Sequence, residues 1–278
     1  MRERDGKPRR PSRSSPGQHP QRGRRQRPAD RRAFGAPSRS PDEPVILYGW
    51  HTVVAALANP KRRIQRLYAT ENAARRLASE GITPSLPPEL VRPDAIARRL
   101  GADAVHNGLL AEADALPSPA IEEIATAGVV LVLDQITDPH NVGAILRTAA
   151  GFAVAAVVTT ARHSPEATGV LAKSASGALE HVPLVTVQNL ARAIAALKER
   201  GFLLVGLDST GDNDISDLAL RGPLALVLGA EGKGLRQLTR ATCDYVARLD
   251  LPGAIKSLNV SNAAALALYV ASKRLATT

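Results

Sequence analysis

Apolar residues are sparse through residues 1–43, and ordered sequence is expected to begin at Val45-Ile-Leu-Tyr48. Gly49-Trp-His-Thr-Val-Val-Ala-Ala-Leu57 reads as a turn entering a helix. Ile64 to Ala69 reads as a strand, with a helix from about Glu71, and Pro84, Pro87 and Pro88 then break the pattern. A further helix is predicted over Pro93 to Leu100. These elements make a small α/β unit over residues 44–115. Leu116-Pro-Ser-Pro-Ala120 opens a linker, residues 116–127, because two prolines punctuate it. From Val129 the pattern changes. Val-Val-Leu-Val-Leu is a short continuous apolar run, as strands buried on both faces of a parallel sheet show. Further strands are predicted at Val154 to Thr159, Leu184 to Val187, Phe202 to Leu207, Leu224 to Leu228 and Tyr245 to Leu249. Helices are predicted at Asn141 to Phe152, Leu190 to Arg200 and Val260 to Leu275. Alternating strands and helices argue a parallel sheet covered on both faces, forming an α/β domain over residues 128–278. Ligands of such sheets bind beyond the carboxyl ends of the strands.

Composition narrows the class. The chain has 278 residues, enough for one large or two ordinary domains, and its 44% apolar content supports a core. The 3% aromatic share makes that core aliphatic. No apolar run approaches the roughly 20 residues that span a bilayer. The N-terminus lacks the apolar stretch of a signal peptide. The single cysteine, Cys243, excludes an internal disulfide or a thiolate cluster. The expectation is a soluble, cytoplasmic protein. Charge is unevenly placed: residues 1–43 hold 13 Lys/Arg against 5 Asp/Glu, or +8 of the total +10. Such a tail buries too little apolar surface to order itself. It suits RNA contact through phosphate neutralisation, or acts only as a solubilising extension.

Three strand-end loops carry candidate chemistry. In Asp134-Gln-Ile-Thr-Asp-Pro-His-Asn-Val-Gly-Ala-Ile-Leu-Arg147, Asn141 and Arg147 bracket the first helical turns. Arg147 offers a fork of donors suited to a phosphate, or is simply a solvated helix residue. Leu226-Val-Leu-Gly-Ala-Glu-Gly-Lys-Gly-Leu235 sets three glycines after a strand. It is not a P-loop, since Gly234 rather than Ser or Thr follows Lys233. Glu231 would repel a polyphosphate, so a neutral or cationic ligand fits better. In the third loop, Ser257, Asn259 and Ser261 open the Val260 helix, where such residues either cap the helix or line a pocket. The six histidines show no metal-ligand spacing, and His140 is a candidate base.

Together the three loops resemble the three motifs of the SpoU/TrmH family of RNA ribose 2′-O-methyltransferases, in order, within a likeness that spans residues 45–278. Gly49-Trp-His-Thr-Val through His106-Asn-Gly resembles the family's small RNA-binding domain. Arg162-His-Ser-Pro-Glu-Ala-Thr and Ser174-Ala-Ser-Gly-Ala-Leu-Glu-His-Val-Pro183 resemble the branch acting on a guanosine of large-subunit (23S) ribosomal RNA, with transfer-RNA relatives as the alternative. The resemblance implies an L30e-like RNA-binding domain, a parallel sheet with a trefoil knot, a homodimer, and S-adenosylmethionine as donor without a metal. It implies Gly229, Gly232, Leu249 and Leu258 as cofactor contacts, and Asn141, Arg147, Glu231, Ser257 and Asn259 as the catalytic set, with Ser261 left to capping. An intact polar set argues against a non-catalytic RNA-binding or ribosome-assembly protein of the same fold. An arginine stays protonated, so Arg147 is expected to grip phosphate rather than act as a base. Where the family commonly has Ile-Pro before the knot loop, this chain has Leu249-Asp250, which puts the rigidity of that loop in question.

Overall fold

The computed structural model describes residues 43–101, 103–162 and 169–276. All of the basic tail except Glu43 lies outside them, as do residues 163–168 of the Arg162–Thr168 segment. Residues 40–278 form one compact unit. In chain order it contains β1 (Val45–Tyr48), α1 (Trp50–Ala58), β2 (Ile64–Ala69), α2 (Glu71–Ser79), β3 (Glu89–Leu90), α3 (Pro93–Leu100), β4 (Leu109–Ala113), β5 (Val129–Asp134), α4 (Pro139–Gly151) and β6 (Ala156–Thr160). Then come α5 (Gly169–Ala175), β7 (Leu184–Val187), α6 (Leu190–Glu199), β8 (Leu203–Leu207), β9 (Asn213–Asp214), β10 (Leu224–Gly229), α7 (Gln237–Thr242), β11 (Tyr245–Arg248) and α8 (Val260–Leu275).

The first four strands form a sheet in the order β1-β4-β2-β3. Its centre, β4, pairs antiparallel with both β1 and β2, yet the sequence pattern did not single it out. The other seven strands form a parallel sheet in the order β7-β6-β5-β10-β8-β11-β9. The chain runs outward from β5 through β6 to β7, then crosses back to β8 on the other side of β10. Strand order therefore reverses between β5 and β8, and the crevice at their carboxyl ends is where such sheets bind ligands.

The alternation of side chains along the central strands explains why both faces are covered. Leu131 and Leu133 of β5, with Leu224, Leu226 and Leu228 of β10, join the core formed with α4, α5 and α8. Val130 and Val132, with Ala225 and Val227, join the opposite core with Leu190, Ile194 and Leu197 of α6. The first core does not stop at the parallel sheet. It continues through Leu171 and Leu179 to Leu47, Trp50 and Val53, so the two sheets share one apolar interior. The predicted helix at Asn141 starts earlier, at Pro139, because the Asp138 side chain accepts from the His140 N–H and caps it. The short helices α5 and α7 were not anticipated.

Candidate functional site

The glycine loop after β10 is folded back on itself. The Gly234 N–H donates to the Ala230 carbonyl at 2.9 Å, and a Cβ at Gly229 would overlap the Gly234 carbonyl group. Gly234 has φ +63°, in the left-handed region, and any side chain there would also meet the Asp208 carboxylate. Two carboxylates anchor the end of this loop. Asp134, with its side chain fully buried at the end of β5, accepts from Arg236 Nε at 2.6 Å and from the Arg236 N–H. Asp208, just after β8, accepts from Thr210 N and Oγ1 and from the Leu235 N–H, and faces Arg240 at 3.4 Å. Burial opposes its ionisation, but the bonds from Thr210 and Leu235 and the Arg240 charge outweigh that and hold its carboxyl below the usual carboxylate range.

The segment after β11 is held by a second latch. Arg248 donates to both Asp250 oxygens, with Nε–Oδ1 at 2.6 Å, and to the carbonyls of Gly211 and Asp212. The Asp250 N–H donates to Asp214 Oδ2 at 2.6 Å. A proline has no N–H and no carboxylate, so neither contact is available to the Ile-Pro form of this loop. Asp250 thus fixes by hydrogen bonding a segment whose rigidity the sequence left in question. Asp214 is depressed in the same way as Asp208: burial opposes ionisation, and bonds from Ser216 and Asp250 with the Arg248 charge overcome it.

At the start of α8 the three loops meet. Asn259 is the N-cap: its Oδ1 accepts from the Ser261 N–H at 2.9 Å and from Ser261 Oγ at 2.6 Å. Capping was expected of Ser261, but Ser261 is the donor and Asn259 the acceptor. Asn259 Nδ2 donates to Glu231 Oε1 at 2.7 Å and to Asn141 Oδ1 at 3.0 Å. The same Glu231 oxygen accepts the Val260 N–H at 3.1 Å. A carboxylate at a helix N-terminus is favoured by the helix dipole, so Glu231 ties the glycine loop to α8.

Two clefts adjoin this knot of polar groups. The first, about 390 Å³, holds Gly229, Glu231, Gly232, Leu249, Ser257 and Leu258 from the predicted set. It also holds Asp208, Thr210 and Arg248, which sequence reasoning missed. Their signal was present, since Asp208-Ser-Thr follows β8 at the same sheet edge. The second cleft, about 410 Å³, is lined by Gln135, Asp138, Asn141 and Glu231, and shares Ala230, Glu231, Lys233 and Val260 with the first. Gln135 there has φ +62°, rare for a residue with a side chain. Arg147 is not brought to either cleft. It is exposed on α4 and has no hydrogen-bond or ion-pair partner among the described residues. His140 lines neither cleft and lies 3.2 Å from Ser174 Oγ. Among the described residues no group of three or more His, Cys, Asp or Glu is placed to hold a metal, and no helix is long and apolar enough to cross a membrane.

Comparison with known proteins matches this arrangement from two directions. Residues 128–269 match the model of the SpoU rRNA Methylase family, and residues 46–119 match the model described as RNA 2′-O ribose methyltransferase substrate binding. The chain is 36% identical over 242 residues to the 23S rRNA (guanosine-2′-O-)-methyltransferase RlmB of Pseudomonas putida, covering 82% of this chain and 96% of the relative. It is 37% identical over 243 residues to the protein of that name from Vibrio cholerae, covering 82% and 96%. Its fold is that of the SpoU methyltransferase AviRb from Streptomyces viridochromogenes, solved with AdoMet: TM-score 0.71 and 23% identity over 84% of this chain and 90% of that one. With the family model spanning all three loops that meet at α8, and relatives 36–37% identical over 82% of its length, the chain belongs to the SpoU rRNA methylase family.

Proposed function

We propose that the protein transfers the methyl group of S-adenosylmethionine to the ribose 2′-hydroxyl of a guanosine in 23S ribosomal RNA. The observation that carries this reading is the Glu231–Asn259–Asn141 link at the wall shared by two adjoining clefts. A two-substrate transfer needs two such sites side by side. The name shared by relatives at 36–37% identity over 82% of the chain supports the RNA and the nucleoside.

The first cleft fits the cofactor. Leu249 and Leu258 offer apolar flanks to a purine, Gly229 and Gly232 leave room for close backbone approach, and the carboxylates of Asp208 and Glu231 suit a ligand carrying positive charge. When bound, S-adenosylmethionine supplies an already activated methyl group. The protein's part is then to place the ribose and to manage its proton. Asn141 and Ser257 orient the ribose from the two sides of the shared wall. Glu231 acts as a brace, because its Oε1 already accepts two hydrogen bonds; the proton leaves to water or to an RNA phosphate.

Arg147 stands outside both clefts of its own chain, and we assign it to the site of a second copy in a homodimer, where it grips the phosphate beside the target ribose. We further read residues 249–259 as the loop of a trefoil knot, residues 44–115 as an L30e-like RNA-binding domain, residues 1–43 as an RNA-contacting arm, and the cytoplasm as the place of action. The test is methyl incorporation from labelled S-adenosylmethionine into ribosomal and transfer RNA. A single new 2′-O-methylguanosine in 23S RNA is expected. A mark only in transfer RNA, or none despite RNA binding, overturns the reading. Mixing inactive Arg147→Ala and Asn259→Ala proteins is expected to restore part of the activity through mixed dimers.

A further inference from the structure

The junction between the two sheets is built more tightly than a tether requires. Arg62, in the loop before β2, donates from Nε and NH2 to Glu180, with NH2–Oε1 at 2.7 Å; the two side chains are 4% and 3% exposed. Asn59 Nδ2 donates to the same carboxylate at 2.8 Å, and Arg62 NH1 donates to the Asp114 carbonyl just after β4. Thr52 Oγ1 donates to the Ala172 carbonyl of α5 in a buried bond, and Lys173 Nζ donates to Asn107 Oδ1. A Cβ at Gly177 would overlap Ala55 of α1, so the approach leaves no room for a side chain. The linker is fastened as well. Ser118 Oγ accepts the Thr186 N–H of β7, and Arg200 donates to the carbonyls of Ile121 and Ile124.

We infer that the Arg62–Glu180–Asn59 clamp is a specificity-determining device: it holds the N-terminal sheet at one fixed position relative to the two clefts, and so sets which ribose reaches Asn141. This rests on the functional reading above. A free linker of about 12 residues would let its ends wander over roughly 20 Å. That is longer than one nucleotide step, so more than one ribose could reach the site. The clamp removes that freedom. The path from clamp to site is short and packed: Glu180 follows α5, α5 packs on α4 with Ser174 seated where Gly143 has no side chain, and α4 carries Asn141.

The test uses full-length protein, tritiated S-adenosylmethionine and a 23S RNA transcript, with methyl sites mapped at nucleotide resolution. Glu180→Gln and Arg62→Met are expected to bind S-adenosylmethionine within twofold of wild type. Their KM for RNA should rise about tenfold with kcat little changed, and methylation should spread to neighbouring riboses. Protease cutting within residues 114–120 should accelerate. Mere destabilisation would lower the yield without redistributing the marks. If Glu180→Gln fails to fold, Asn59→Ala removes a clamp contact without stranding a charge and should give the same redistribution at a few-fold level. An unchanged single mark with unchanged KM and protease resistance overturns the inference. Wild-type protein that methylates no RNA overturns the functional reading instead, and the protease comparison then still decides whether the junction is clamped.

Discussion

The walls of the first cleft and the junction between the sheets are both held by carboxylates gripping arginine, in opposite settings. At the junction Arg62 and Glu180 are 4% and 3% exposed. At the cleft Arg248 and Asp250 are 34% and 60% exposed. A buried pair is costly to break, because removing one partner strands the other charge away from water. An exposed pair exchanges its partner for water at little cost. The molecule thus fixes the placement of its N-terminal sheet through a pair that is costly to break, and holds the segment after β11 through a pair that can be broken at little cost.

Four substitutions sharpen or break that contrast. The largest effect is expected at the junction: Glu180→Ala should cost about 3–5 kcal/mol of stability in denaturant unfolding, since Arg62 is left buried and unpaired. A loss no greater than at the cleft would erase the distinction. Next comes Asn259→Ala, which removes the α8 cap and the link to Glu231 and Asn141. About 1 kcal/mol of stability should go with it, and turnover should fall at least tenfold in a methyl-transfer assay. Asp250→Pro replaces a latch with ring stiffness. Losing the bond to Asp214 should cost about 1 kcal/mol, offset in part by the stiffer loop, so calorimetry should show only a small drop in S-adenosylmethionine affinity.

The smallest effect is one of pH. Asp208 and Asp214 are held below the ordinary carboxylate value of 3.8. The folded state therefore binds fewer protons than the unfolded one in that region. Their stabilisation is complete above about pH 5 and is lost as the pH falls from there through the lowered folded values. Asp208→Asn should be less stable than wild type at pH 7, with the gap closing towards pH 3. A gap independent of pH would mean that Asp208 acts through packing alone.

What could be read from the sequence followed range. The continuous apolar runs of β5 and β10 declare a parallel sheet by themselves, and the loops after β5, β10 and β11 each carry their own local signature. Asn141, Glu231 and Asn259 are grouped in the sequence only through the family resemblance of those three segments, and the hydrogen bonds that link them come from the structure. The clamp could not be read, because Arg62 and Glu180 are 118 positions apart and each, alone, looks like an ordinary surface charge. Asp208 is different: its local signal, Asp208-Ser-Thr after β8, includes its Thr210 partner, and only its contacts with Leu235 and Arg240 are distant in sequence. Strand β4 escaped because Leu109-Leu-Ala-Glu-Ala113 holds no β-branched or aromatic residue, and α7 because a six-residue helix has under two turns.

The pairing of β5 with β10 has a kinetic side. Leu224 lies opposite Val129, so nearly a hundred residues separate the two strands that form the middle of the sheet. Non-local pairing of this kind is slow, since a large loop must close before any contact rewards it. Until β10 arrives, β5 shows one bare edge of Val-Val-Leu-Val-Leu, a run with the composition that stacks into intermolecular strands. Refolding is therefore a race between insertion of β10 and capture of that edge by another chain. Dilution, more than temperature or salt, should decide the yield.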